Sequence, residues 1–224
     1  MRPVSLEILE DRTAGSRSDE GFLMVRRLRV RHTYEDGSVS PAYACDVVSR
    51  PGTDAVAVVL WFRGGDGAPQ VVLKEGVRPP VWLRREKELV HPDPAAPLVL
   101  VELVAGILEP EDAVPDGLQR RGAAEAEEEA GVLLDPARLR PLGGPSFPTP
   151  GAADERVDFL VAEIDGPPPA EQPPAGDGSG MEHGTRVVVL PLDEALRRCR
   201  DGRIPDMKTE IGLARLAALL EAGA

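Results

Sequence analysis

An α/β fold is what the sequence predicts, on three observations. Apolar runs of strand length recur along the chain, as at 54–62 and 98–104; helical patterning appears between and after them; and turns marked by Gly and Pro separate the two kinds of segment. A chain of 224 residues has room for a large core domain plus a smaller accessory piece. Residues 1–50 are expected to form an N-terminal β element and 51–224 the main domain.

Taken in order, residues 21–49 read as strands, because Phe22 to Val30 partly alternates and Asp36-Gly37 marks a hairpin turn before 43–48. This antiparallel piece is the expected contact with a second subunit. Residues 54–62 read as a buried strand, Gly64-Gly65-Asp66-Gly67 as a turn, and 70–74 as a strand pairing back. A polar loop at 86–97 leads to a strand at 98–104, and Pro115-Asp116-Gly117 breaks the chain ahead of an acidic helix.

Beyond Gly131, the prolines at 141, 145, 148 and 150 mark an irregular connection to a strand at 157–164. The stretch 166–184, rich in Pro and Gly, is expected to be a mobile loop, with a lid as one role open to it. A strand at 186–190, a helix at 193–201 ended by Gly202, and a C-terminal helix at 206–221 complete the chain. The last helix is expected to turn Ile211, Ala214, Leu216 and Leu219 inward.

A net charge of −12 opposes a nucleic-acid partner, whose binding relies on a basic surface that releases counterions, and an aromatic content of 4% leaves few rings for stacking on bases. A small phosphorylated ligand stays compatible if metal and arginine neutralise it locally. No apolar run reaches the roughly 18 residues needed to cross a bilayer, so a cytoplasmic protein without a membrane partner is expected. Cys45 and Cys199 fit no metal or redox spacing.

The most informative feature is the run from Gly122 to Val132. Glu125, Glu128 and Glu129 stand at i, i+3 and i+4, so a helix turns three carboxylates to one face, where they repel. An acidic run of this kind is most often a solvated helix face. The alternative is a divalent cation held by hard oxygens, which commonly works on phosphate. Gly122, Ala126 and Ala130 lie beside the acidic face as a small-residue stripe that lets helix and strand backbones approach closely.

This arrangement resembles the Nudix hydrolases, whose signature runs G-x5-E-x7-R-E-U-x-E-E-x-G-U. Gly106 fits the opening glycine, and Glu125 to Val132 fit the closing half. Within the family, the chain is similar to the ADP-ribose and nucleotide-sugar pyrophosphatases. Glu102-Leu103-Val104-Ala105-Gly106 resembles their E-L-P-A-G, Ser146 to Arg156 resembles S-P-G-x-x-x-E-R, and Val72 to Pro80 resembles their strand with an arginine-bearing turn. There are two departures. Asp112 or Asp116 stands for the first box glutamate, with four extra residues between Gly106 and Glu125, and Ala124 stands for the box arginine, a place that Arg120 or Arg121 could fill from one turn earlier.

The resemblance implies an α/β/α sandwich with a mixed sheet, a homodimer, and hydrolysis of a nucleoside diphosphate linked to a sugar, ADP-ribose being favoured. It implies Mg²⁺, with Mn²⁺ as the alternative, on Glu125, Glu128, Glu129 and the Ala105 carbonyl. Arg78, Glu102, Gly106, Glu155 and Arg156 are the candidate substrate contacts; Arg78 also recommends itself because a planar donor suits an anionic oxygen pair. Arg78 has a plainer role open to it as a surface arginine, and Glu155 and Arg156 as anchors of their loop. Catalytic work falls to Glu128 and to Glu182 as general base, with Glu171, Asp177 and His183 in the same loop as competitors. Trp61 and Phe147 could stack on a base, although rings near strands are more often core. The departures at Asp112 and Ala124 leave open a Nudix-fold ligand sensor without turnover.

Overall fold

The computed structural model describes residues 3–11, 23–50, 52–94, 96–169 and 185–223. They divide into two compact units: Met1–Asp54 with Phe147–Arg156, and Ala55–Ser146 with Val157–Ala224. No helix among the described residues is long and apolar enough to cross a membrane.

In the first unit, β1 (Pro3–Asp11), β2 (Met24–Tyr34) and β3 (Tyr43–Ser49) form an antiparallel sheet in the order β1-β2-β3. The β2–β3 hairpin turns at Asp36-Gly37, where Gly37 takes φ 81° and the Asp36 carboxylate accepts the Ser38 N–H at 2.9 Å. The segment 147–156 joins this unit through the Val48 N–H, which donates to the Ala152 carbonyl at 2.8 Å. Phe147 is 55% exposed there.

The second unit runs β4 (Ala55–Arg63), β5 (Pro69–Val77), the single turn α1 (Pro79–Trp82), β6 (Val99–Glu102), β7 (Val104–Ile107), α2 (Gly117–Ala130), β8 (Arg140–Pro141), β9 (Val157–Glu163), β10 (Arg186–Pro191), α3 (Leu192–Arg200) and α4 (Met207–Ala222). Its sheet has the order β10-β5-β4-β9-β8, with β6 on β5 and β7 on β4. It is mixed: β4 and β9 are parallel and the other pairs antiparallel.

Strand β4 is buried on both faces, which is why its sequence is a continuous apolar run and not an alternating one. Ala57, Val59 and Trp61 join Leu213 and Leu216 of α4 and Ala195 of α3 in one cluster. Val56, Val58 and Leu60 join Ala126 and Ala130 of α2 in the other. Helices thus cover both faces, giving the α/β/α sandwich. Trp61 belongs to the core at 5% exposure and offers no ring for stacking on a base.

Two expectations are corrected. The run at 98–104 is not one strand: β6 pairs with β5, the chain breaks at the fully buried Leu103, and β7 pairs with β4. The Leu103 N–H leaves the ladder and donates to Thr209 Oγ1 at 2.9 Å. The buried face of α4 consists of Thr209, Gly212, Leu213 and Leu216, while Ala214 and Leu219 are exposed. The face is shifted because α4 docks through a glycine: a Cβ on Gly212 would meet Leu103 Cδ1 at 2.6 Å. A hydrophobic pattern gives glycine no weight.

Candidate active site

Helix α2 stops where its sequence says it should. Gly131 adopts φ 66°, and the N–H groups of Gly131 and Val132 close back on the Glu127 and Ala126 carbonyls at 2.9 Å each. The stripe expected to allow close approach is buried, and a Cβ on Gly122 would sit 3.0 Å from Leu160 Cδ1 and 3.2 Å from Val58 Cγ2. Helix and sheet are therefore close enough for glutamates on the neighbouring face to reach β7.

They do reach it. The Ala105 N–H donates to Glu129 Oε2 at 2.9 Å. In an antiparallel strand the N–H and C=O of one residue leave the same side, so the Ala105 carbonyl opens on the edge that faces Glu129. Glu125 lies over Gly106, where an added Cβ would fall 1.7 Å from Oε1, so only glycine admits this carboxylate. Glu125 and Glu129 are buried at 7% and 2% exposure, and Glu128 is half-buried. Buried carboxylates demand compensation, so the solvated-face reading does not hold for these two.

Part of that compensation was not foreseen. Alternation along β5 sends Val71 and Leu73 to the α3/α4 side and Val72 to the α2 side. Lys74, two residues on from Val72, therefore points at α2, and its ammonium pairs with Glu129 Oε1 in full burial. The signal was present in the sequence, as a lysine with inward parity in an apolar strand beside an acidic helix.

The missing box arginine is answered one turn earlier. Arg121 donates from Nε to Asp112 Oδ2 at 2.9 Å and from Nη2 to Glu109 Oε2 at 2.8 Å, and its Nη1 lies 3.8 Å from Glu125 Oε1. Burial works to lower the basicity of this guanidinium, but the bonds to Asp112 and Glu109 outweigh it and raise it. Arg121, and not Arg120, holds Asp112; Arg120 pairs with Asp116. The residues at the two departures are thus linked through one guanidinium, which joins Asp112 to the helix turn that precedes Ala124.

Arg78 and Glu102 come together as an ion pair, with Arg78 Nε donating to Oε1 at 3.0 Å and Nη2 to Oε2 at 2.5 Å. Lys208 Nζ adds a contact to Oε2 at 3.2 Å. Desolvation pushes the Glu102 carboxyl up, but the Arg78 hydrogen bonds together with Lys208 bring it below the ordinary glutamate range. In the first unit, Glu155 accepts from Arg50 Nη2 at 3.1 Å, and Arg156 lies 3.7 Å from Asp54 Oδ2. Glu182, Glu171, Asp177 and His183 lie outside the described residues.

Among the described residues no three acidic, His or Cys side chains converge on one point; Glu129 and Glu125 make the contacts just described instead. The donor set nevertheless fits a hard cation in kind, with three carboxylates from one turn and a carbonyl on the facing strand edge. One ammonium, and a guanidinium already serving Asp112 and Glu109, leave this turn net negative.

No family model matches the chain. It is similar to the GDP-mannose pyrophosphatase of Cronobacter sakazakii, 27% identical over 215 residues that cover 95% of each chain. It is also similar to the ADP-ribose pyrophosphatase of Escherichia coli K12, 27% identical over 86% of this chain and 80% of that one. A solved structure described as an ADP compounds hydrolase superposes with a TM-score of 0.62 at 16% identity, covering 100% of this chain and 97% of that one. With the strand, glycine and acidic helix assembled as described, the chain resembles the Nudix hydrolases and is similar over most of its length to the two pyrophosphatases just named.

Proposed function

We propose that the protein hydrolyses a nucleoside diphosphate linked to a sugar, ADP-ribose being the favoured substrate, to a nucleoside monophosphate and a sugar phosphate. The observation that carries this reading is the contact of Glu129 with the Ala105 N–H beside Glu125 over Gly106. It ties the acidic turn of α2 to the strand edge in a chain similar over 95% and 86% of its length to two enzymes named for this chemistry.

In this reading Glu125, Glu128, Glu129 and the Ala105 carbonyl hold a divalent cation, Mg²⁺ with Mn²⁺ as the alternative. When bound, such an ion supplies Lewis-acid polarisation of phosphate and activation of water. Arg121 keeps Asp112 and the start of α2 in place beneath Glu125. Arg78, braced by Glu102, presents its guanidinium plane to phosphate oxygens. Glu155 and Arg156 contact the substrate or anchor its loop. Glu182 takes the proton from the attacking water, which bonds to one phosphorus as the bond from that phosphorus to the bridging oxygen breaks.

The enzyme is further proposed to be a cytoplasmic homodimer, contacting its partner through the N-terminal β element. The test is a panel of ADP-ribose, GDP-mannose and related nucleotide sugars with Mg²⁺ or Mn²⁺, separated by chromatography. Equimolar nucleoside monophosphate and sugar phosphate support the reading. Tight ligand binding without product would instead favour a sensor.

A further inference from the structure

A ring of polar contacts begins and ends on two adjacent residues, Glu102 and Leu103. Lys208 Nζ lies 3.2 Å from Glu102 Oε2 and donates to Asp206 Oδ2 at 3.1 Å. Asp206 is the N-cap of α4: the same Oδ2 accepts the Thr209 N–H at 2.9 Å and the Thr209 hydroxyl at 2.6 Å. Thr209 is fully buried, and its Oγ1 in turn accepts the Leu103 N–H at 2.9 Å. The first turn of α4 therefore grips the chain break between β6 and β7 twice, once on the backbone of Leu103 and once on the Glu102 carboxylate.

Glu102 carries this hold to Arg78. The arginine bonds the carboxylate along one edge of its guanidinium, from Nε to Oε1 and Oε2 at 3.0 and 3.1 Å and from Nη2 to Oε2 at 2.5 Å. The group is planar, so fixing that edge also fixes the direction of the donors on its far edge. Glu102 stands in register with Lys74, so its side chain leaves the sheet on the face that α2 covers. A carboxylate held by the arginine alone would swing with it, whereas Lys208 ties this one to a capped helix.

We propose that Lys208 is a positioning residue for Arg78: through Glu102, it sets the direction in which the guanidinium meets substrate phosphate. It touches no substrate itself. The inference rests on the proposed hydrolysis, with Arg78 as a phosphate contact.

The experiment is a double-mutant cycle on Lys208 and Arg78, with steady-state kinetics on ADP-ribose and Mg²⁺ and a melting curve for each protein. Lys208→Met is expected to lower kcat/KM about tenfold, nearly all of it as a rise in KM, because substrate and transition state lose the same phosphate contact. In an Arg78→Met background the same change is expected to alter kcat/KM by less than about twofold, since the guanidinium through which it acts is gone. Where Arg78→Met is too slow to assay, affinity for ADP-ribose measured by calorimetry in EDTA gives the same cycle. An equal fall in both backgrounds overturns the proposal, as does a Lys208→Met protein with wild-type kinetics. If Lys208→Met does not fold, Lys208→Gln replaces it; if neither folds, Lys208 holds the fold and not the arginine, and the proposal is overturned. A wild-type protein that turns over no nucleotide sugar is a different outcome, in which the proposed function has failed and the inference falls with it.

Discussion

Gly106 and Glu125 occupy one volume between β7 and α2: a methyl group on the glycine would lie 1.7 Å from the carboxylate oxygen and 2.0 Å from its Cδ. The glycine is therefore required for what it lacks, since its missing side chain is the space in which the carboxylate rests. Gly106→Ala is expected to displace Glu125 and lower metal-dependent turnover on the order of a hundredfold. The fold should survive, because the clash falls on a side chain and not on backbone. Steady-state kinetics beside a melting curve checks this; unchanged turnover would mean that Glu125 has no part in catalysis.

Arg121 reaches Asp112, Glu109 and the neighbourhood of Glu125 at once, so under the proposed function it takes the place of the absent arginine at 124. Arg121→Ala is expected to cost about 2–3 kcal/mol of stability, as a part-buried charged hydrogen-bond pair is broken, and to reduce activity as well. Ala124→Arg should bring no gain. A clear rise in activity for Ala124→Arg would show that the duty is unfilled.

The acidic turn was legible in the sequence because its spacing encodes geometry directly: i, i+3, i+4 puts Glu125, Glu128 and Glu129 on one face of the helix whatever surrounds them. The small-residue stripe was legible for the same reason. The role of Lys74 is not legible, because its pairing with Glu129 spans 55 positions and depends on which face of β5 meets α2. The division at Leu103 is not legible, because an apolar run carries no mark of which neighbour each half will join. The placement of 147–156 with the N-terminal sheet is a long-range contact that Pro and Gly content does not encode.

Gly212 lets α4 close on Leu103 and Val59, with the space for a Cβ limited to 2.6 and 3.0 Å. Gly212→Val is expected to destabilise the protein by about 1–3 kcal/mol through overpacking. Ala214→Val, on the exposed side, is expected to cost well under 1 kcal/mol. Chemical denaturation of the two variants separates these outcomes, and equal effects would contradict the assigned face.

Glu102 contributes to stability in a way that depends on pH. Its carboxyl is held below the ordinary glutamate range in the fold, because the pull of Arg78 and Lys208 exceeds the push of desolvation. The contribution is thus complete above the ordinary glutamate range and is lost as pH falls through the folded value. Arg78→Met is expected to move the acid-unfolding midpoint upward and to cost about 1–3 kcal/mol near neutrality. A variant that differs from wild type equally at every pH would refute this.

The two thiols should differ in reactivity. Burial, followed by the nearby Glu210 and Asp206, raises Cys199 to about 11, which leaves little thiolate at neutral pH. Cys45 is only partly buried. A thiol reagent is expected to modify Cys45 in the native protein and Cys199 only after denaturation, and mass spectrometry of the labelled peptides reads the order.

The central claim, that the turn bearing Glu125, Glu128 and Glu129 drives hydrolysis of a nucleotide sugar with a divalent cation, is tested most directly by following ADP-ribose and Mg²⁺ with wild type and Glu129→Gln by phosphorus NMR. The expected result is loss of the diphosphate signals, with two phosphomonoester signals of equal area, for wild type alone, and none with EDTA or with a folded Glu129→Gln. Turnover by Glu129→Gln at the wild-type rate, or in EDTA, would contradict the account.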